Sequence, residues 1–100
     1  MTYAAASSFL VRASELAKAR GLAMQVTVAD SLTRLCLRSD RYLGEFVLWE
    51  QGTFDVMVAD IATGEYVFDK SGYESEGAMN PALQAGLQYF GLSWAEATGT

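Results

Sequence analysis

The stretch VLWEQGTFDVMVADIATGEYVFD, residues 47–69, decides the fold of this chain because it holds three apolar runs separated by two turn sequences. The first turn is Gln51-Gly52, where glycine supplies the positive φ that a tight hairpin requires. In the second turn, Asp60 can bond to the turn backbone and Gly64 takes the left-handed position that closes a three-residue loop. The stretch therefore predicts three antiparallel strands, at residues 42–50, 53–60 and 65–70.

Upstream of these strands, apolar residues recur with a period of two, which is typical of half-buried strands. One such alternation is centred on Val26 and a second on Leu35. Polar turn residues follow each of them, at 30–31 and at 39–40. The sequence thus predicts an antiparallel meander of about five strands.

A helix is predicted on each side of this meander. Residues 3–20 repeat apolar side chains at helical spacing, with a polar side that includes Ser7. The second helix spans about 80–91 and opens at Asn80-Pro81, because asparagine caps helix N-termini and proline is tolerated in the first helical position.

The order of elements predicts an α+β domain with both helices on one face of the sheet. The chain has 100 residues, 51% of them hydrophobic, with a single proline. A chain of this size and composition can bury one core, so we expect residues 1–100 to form a single domain.

Nothing in the sequence suggests a membrane protein. The longest uninterrupted apolar runs are four residues, far below the roughly 20 that a membrane-spanning helix needs. The first twenty residues also lack the basic start and the long apolar middle of a secretory signal. We therefore expect a cytoplasmic location.

Charge is distributed unevenly along the chain. Residues 1–41 carry six basic side chains against three acids, a net charge of +3, whereas residues 42–100 carry nine acids against Lys70, a net charge of −8. An acidic surface repels phosphate backbones, which argues against a DNA or RNA partner. The acids could simply keep a small apolar domain soluble, or they could recognise a basic partner.

The sequence offers no chemistry for catalysis or metal binding. It contains no histidine, so Ser and Cys lack the usual base, and Cys36 alone can form neither an internal disulfide nor a zinc site. The acids between residues 45 and 69 come about every five residues, the spacing of strand ends and turns: Glu45, Glu50, Asp55, Asp60, Glu65 and Asp69. We therefore predict no catalytic residue, no metal and no cofactor.

The remaining candidate for a functional feature is the surface of the sheet that the helices do not cover. With a three-residue loop at 62–64, residues whose numbers sum to 126 oppose each other in the last hairpin, so that Val58 faces Phe68. The helices would then cover one set of side chains, namely Phe54, Val56, Val58, Tyr66 and Phe68. The opposite face would carry Asp55, Met57, Val67 and Asp69, extended by Trp49 or Leu48 according to the register of the preceding hairpin.

Large apolar groups beside acids have two interpretations. They could form a second small core that a loop or a dimer partner closes, or a recognition patch with an apolar anchor among carboxylates. On the second interpretation, the predicted partner-binding residues are Trp49, Asp55, Met57, Val67 and Asp69.

The pattern VLWEQGTFDVMVAD-ATGE, followed by an amphipathic C-terminal helix, resembles small acidic immunity proteins of bacterial polymorphic toxin systems, in particular the TriTu group. The similarity covers roughly residues 40–92. It implies an α+β toxin inhibitor without enzymatic activity, whose partner is a cognate toxin domain.

Acidity fits this role, because a carboxylate-rich protein binds a basic cleft quickly by electrostatic steering. Two alternatives stay open on the sequence alone. One is a structural or adaptor domain that forms a homodimer, sheet against sheet. The other is a small-ligand binder that uses a pocket between the sheet and the helices.

Overall fold

A computed structural model describes residues 3–74 and 77–93. The elements are, in chain order, α1 (Tyr3–Ala19), β1 (Ala23–Val28), β2 (Leu32–Arg38), β3 (Tyr42–Trp49), β4 (Thr53–Asp60), β5 (Tyr66–Tyr73) and α2 (Met79–Gln88). The predicted α+β class, the N-terminal helix, the five strands and the C-terminal helix are confirmed.

The five strands form one antiparallel sheet in the order β1-β2-β3-β4-β5. Each strand pairs with its neighbours in sequence, as expected where short turns join antiparallel strands. Both helices lie on the same face of this sheet, with α1 packed over β1, β2 and β3 and α2 over β4 and β5. The predicted single-faced arrangement is confirmed, and it leaves the other face of the sheet without helical cover.

The core lies between the sheet and the two helices. Its largest fully buried side chains come from both helices and from the sheet: Leu10 of α1, Leu35, Leu37, Phe46, Leu48, Phe54, Val56 and Val58 of the sheet, Leu83 and Leu87 of α2, and Leu92 after it. Alternate residues of β2, β3 and β4 point into this core, so the register of each strand also fixes what its other face presents.

Helix α2 approaches the sheet closely through a glycine. A Cβ atom added at Gly86 would lie 2.7 Å from Cγ1 of Val56 and 2.8 Å from the Phe46 ring. Real Cβ contacts are longer than this, so a side chain at Gly86 would push the helix away from the strands.

One prediction for α1 is wrong. Ser7 was placed on the polar, outward side of the helix, but its hydroxyl oxygen lies 2.6 Å from that of Thr33 in β2, and the Tyr3 hydroxyl lies 3.1 Å from the same Thr33 oxygen. The helix therefore meets the first half of the sheet partly through hydroxyl groups. Since Thr33 is fully buried, its hydroxyl needs these partners.

The start of α2 also differs from the prediction. Asn80 lies inside the helix, and the N-cap is Ala78, which makes no side-chain cap hydrogen bond. The helix ends at Gln88, three residues before the predicted 91. The chain then turns at Gly91, which has a φ of 70°, and the Leu92 amide donates to the Leu87 carbonyl.

The hairpin between β4 and β5 contains a four-residue loop instead of three. The Asp60 amide donates to the Glu65 carbonyl, and the Gly64 amide donates back to the Asp60 carbonyl, with Gly64 at a φ of 73°. Ala59 consequently pairs with Tyr66, and an irregularity between Val58 and Ala59 restores the expected pairing of Val58 with Phe68.

This irregularity corrects two predictions. Tyr66, expected on the face that the helices cover, is 65% exposed. Val67, expected to oppose Ala59, has no partner in the β4–β5 register.

Candidate partner-binding face

The open face is the side of the sheet opposite the helices. Strand alternation and the paired registers assign to it the following side chains of the three central strands: Leu32, Arg34, Cys36 and Arg38 of β2, Leu43, Glu45, Val47 and Trp49 of β3, and Thr53, Asp55, Met57 and Ala59 of β4. The pairing of β5 adds Tyr66, Asp69, Ser71 and Tyr73.

Two cross-strand rows organise the centre of this face. One row runs from Arg34 through Val47 and Asp55 to Ser71. The next row runs from Cys36 through Glu45 and Met57 to Asp69. Each row therefore places an apolar side chain of a central strand next to at least one carboxylate.

Four of the five predicted partner-binding residues come together on the open face. Asp55 and Met57 are half-buried on β4, Asp69 is exposed opposite Met57, and Trp49 is half-buried at the end of β3. The hairpin register selects Trp49 rather than Leu48, which is buried in the core. The fifth residue, Val67, is 42% exposed at the bulge, outside the cross-strand rows.

The predicted set of partner-binding residues left out several side chains of the same face. Val47 is only 5% exposed, Glu45 lies directly opposite Met57, and Leu43 is 49% exposed at the other end of β3. The register of the β3–β4 hairpin could have identified them, because every second residue of β3 must lie on the same side as Trp49.

The charges of the open face interact across strands. The Arg34 guanidinium donates to Glu45 over 2.6 Å between Nη2 and Oε2, although half of the Arg34 side chain is exposed. Burial raises the pKa of Asp55 above its ordinary value, and the neighbouring carboxylates of Asp69 and Glu45 raise it further. The ionised carboxylates of this face therefore repel one another. A basic partner would reduce this repulsion.

Cys36 is half-buried between these charges, as expected for a small apolar residue. Desolvation raises the pKa of its thiol, with Arg34 acting in the opposite direction and Glu45 adding to the rise. A thiol with a raised pKa is a poor nucleophile at neutral pH, so Cys36 fits a packing role.

A shallow depression of about 440 Å³ lies at one end of the open face. Trp49, Asp55 and Tyr73 are among the residues that line it. It combines aromatic surface with a carboxylate, so it suits a long basic side chain of a partner protein.

A second concavity, of about 360 Å³, lies between β5 and α2 and is the place where a small-ligand binder would hold its ligand. Its lining is apolar except for Lys70 and Ser71, with Phe54, Phe68 and Pro81 among the other residues. Ligand pockets usually bring several polar groups together to orient the ligand, and two exposed side chains on one strand do not converge.

Two further tests of the structure concern metals and membranes. Among residues 3–74 and 77–93, no three His, Cys, Asp or Glu side chains are grouped so that they could hold a metal ion. Within the same part of the chain, no helix is long and apolar enough to cross a membrane.

Comparison with known proteins identifies the family. No significant match was found among curated proteins. The family model described as "Immunity protein TriTu" matches residues 8–85, which include most of α1, the whole sheet and most of α2. Since the match covers well over half of the chain, this protein belongs to the TriTu family of immunity proteins.

Proposed function

We propose that this protein neutralises a cognate bacterial toxin domain by binding it through the open face, without catalysing a reaction. Immunity proteins act on toxins, and the family match makes a toxin the expected partner. The open face is the part of the described chain best suited to that contact, because helices cover the other side of the sheet.

The observation that carries the proposal is the position of Met57 between two carboxylates. Glu45 and Asp69 flank it in one cross-strand row, while Asp55 lies next to it in β4. An apolar side chain surrounded by acids is the arrangement expected of an anchor within an electrostatically steered interface.

Charge defines the chemistry of the partner. Asp55, Asp69 and Glu45 favour a basic surface, such as the cleft of a toxin that acts on nucleic acids or nucleotides. Binding of a cation would also stabilise the ionised form of Asp55, which burial disfavours. Occupation of a basic cleft by this face would block access of the toxin's substrate.

Inhibition by occlusion requires no chemistry from the inhibitor. The absence of histidine from the sequence and the spread of the carboxylates over three strands of a sheet face support a non-enzymatic role. The proposal places this encounter in the cytoplasm, where the expected toxin substrates are found.

The test is to express this protein with toxin domains encoded in neighbouring genes and to measure binding and protection. The two proteins should copurify, and purified immunity protein should suppress toxin activity at equimolar concentration. A triple variant, Asp55→Asn with Met57→Ala and Asp69→Asn, should lose binding while keeping its circular dichroism spectrum and melting temperature close to those of the wild type.

A matched control removes two acids and one apolar side chain elsewhere on the surface. This control combines Asp30→Asn, Asp40→Asn and Val28→Ala, all at exposed positions. Asp30 lies in the turn between β1 and β2, Asp40 lies in the turn between β2 and β3, and Val28 ends the edge strand β1. This control should bind as the wild type does. Unchanged binding by a folded triple variant of the open face would refute the proposed interface.

A further inference from the structure

We propose that, without a toxin, a second copy of this chain packs on the open face, related by a twofold axis that runs over β3 nearly parallel to the strands. This self-association would cover the surface assigned above to the toxin. The proposal rests on the distribution of charge on the open face and does not depend on the identity of a toxin.

The open face is electrically divided across its strands. Its positive groups, Arg34 and Arg38, lie on β2, whereas Asp55 lies on β4 and Asp69 on β5. A second copy of the face can match this division in the row of Arg34 and Asp55, because it can place its own Asp55 over Arg34 and its own Arg34 over Asp55.

The geometry of sheet packing selects the axis. Two sheets stacked face to face keep their strands within about 30° of one another. If the twofold axis lies nearly along the strands, β2 of one copy covers β4 of the other. If the axis lies across the strands, β2 covers β2 and the arginines of both copies meet. Only the first arrangement joins opposite charges.

The same axis matches individual rows. Arg34 and Asp55 are equidistant from β3 in one cross-strand row, so the rotation places Arg34 of one copy over Asp55 of the second copy, twice per dimer. The axis passes over Val47, which lies between them and is already largely covered by its neighbours in the same chain. The two Glu45 side chains also approach each other, and each is already paired with its own Arg34.

The available area is sufficient for a specific dimer. Five strands spaced about 4.8 Å apart, each with about seven residues, span a face of roughly 24 Å by 24 Å. Two such faces bury on the order of 1,100 Å² in projection, above the roughly 1,000 Å² that separates biological interfaces from incidental contacts. The exposed Leu43, Tyr66 and Tyr73 at the corners add apolar area.

The test is a charge exchange measured by sedimentation velocity over a wide concentration range. Arg34→Glu and Asp55→Arg should each weaken self-association at least about tenfold, which corresponds to about 1.4 kcal/mol. In a dimer of either variant alone, the two contacts between position 34 of one copy and position 55 of the other both become repulsive. In an equimolar mixture, the heterodimer regains two attractive pairs, so association should return towards the wild-type level.

The control exchanges exposed charges on α1, where Lys18→Glu and Glu15→Arg should change nothing alone or mixed. Because the charge reversals could disturb folding, the milder Arg34→Gln and Asp55→Asn provide a second pair that should weaken the dimer individually. A wild type that stays monomeric up to its solubility limit would overturn the proposal. So would a dimer that these changes leave intact, or a mixture that fails to recover.

Discussion

Arg34 and Asp55 flank Val47 in a single cross-strand row of the open face. The row passes from a cation through a 5% exposed apolar side chain to a half-buried carboxylate. The charge changes sign over two strand spacings, about 10 Å. A charged protein that approaches this face is therefore oriented, because attraction requires its acids near Arg34 and its cations near Asp55. The relationship underlies both the proposed toxin interface and the proposed self-association.

Removal of the acids should act mainly on the rate of toxin binding. Asp55→Asn with Asp69→Asn should slow association, because long-range attraction between the open face and a basic toxin is reduced. The effect should shrink at high salt, where both proteins are screened. Stopped-flow or surface-based kinetics at several ionic strengths provide the measurement, and a salt-independent wild-type association rate would contradict the prediction.

The apolar side chains should govern dissociation instead. Met57→Ala or Trp49→Ala should cost on the order of 1 to 4 kcal/mol of toxin binding if the side chain is an anchor, mostly through faster dissociation. Thermal unfolding of each variant is the essential control, since both residues are half-buried and truncation could also destabilise the fold. Leu43→Ala, at the exposed end of β3 opposite Trp49, is the matched comparison.

The titration of Asp55 should report its neighbours. Because burial is the first cause of its raised pKa and Asp69 the second, Asp69→Asn should lower the pKa of Asp55 while leaving it above the ordinary value. NMR titration of the side-chain carboxyl carbons measures this directly. An Asp55 pKa that does not respond to Asp69→Asn would contradict the assigned cause.

The same shift has a consequence for stability. A carboxyl whose pKa is higher in the folded state than in the unfolded state destabilises the fold when ionised, so this contribution improves as pH falls from the raised pKa towards about 3.9. Asp55→Asn removes the contribution and should flatten the dependence of unfolding free energy on pH in that window. Denaturant unfolding at several pH values tests the sign.

Gly86 should be intolerant of even a small side chain. Gly86→Ala places a Cβ atom 2.7 Å from Val56 Cγ1, and such overpacking typically costs about 1 to 3 kcal/mol despite the better helix propensity of alanine. Gln84→Ala on the exposed side of α2 is the control and should be nearly neutral. Val56→Ala should recover part of the loss when combined with Gly86→Ala, and fully additive effects would argue against the clash.

Thr33 should matter through its hydroxyl group. Thr33→Val keeps the shape of this fully buried side chain but removes the oxygen near the Ser7 and Tyr3 hydroxyls. The expected loss is about 1 kcal/mol of unfolding free energy, as for other buried hydrogen bonds. Thr27→Val on the exposed edge strand is the matched control and should lack this cost.

Local sequence determined most of the fold. Gly64 at a φ of 73° and Gly52 at a φ of 98° sit at the two turns that the central stretch predicts, and the alternation around Val26 and Leu35 places β1 and β2. These features could be predicted because a turn or a strand depends on a few adjacent residues. The assignment of Asp55, Met57 and Asp69 to one face followed from the same alternation.

Tertiary structure decided what adjacent residues could not. The extra residue in the β4–β5 loop and the compensating irregularity, which exposed Tyr66 and left Val67 unpaired, depend on how two strands settle against the whole sheet. The half-buried Ser7 points towards β2, where Thr33, 26 positions away, offers a buried hydroxyl. The pairing of Arg34 with Glu45 likewise arises only when β2 and β3 are in register, so long-range contacts, not local propensity, shaped the electrostatics of the open face.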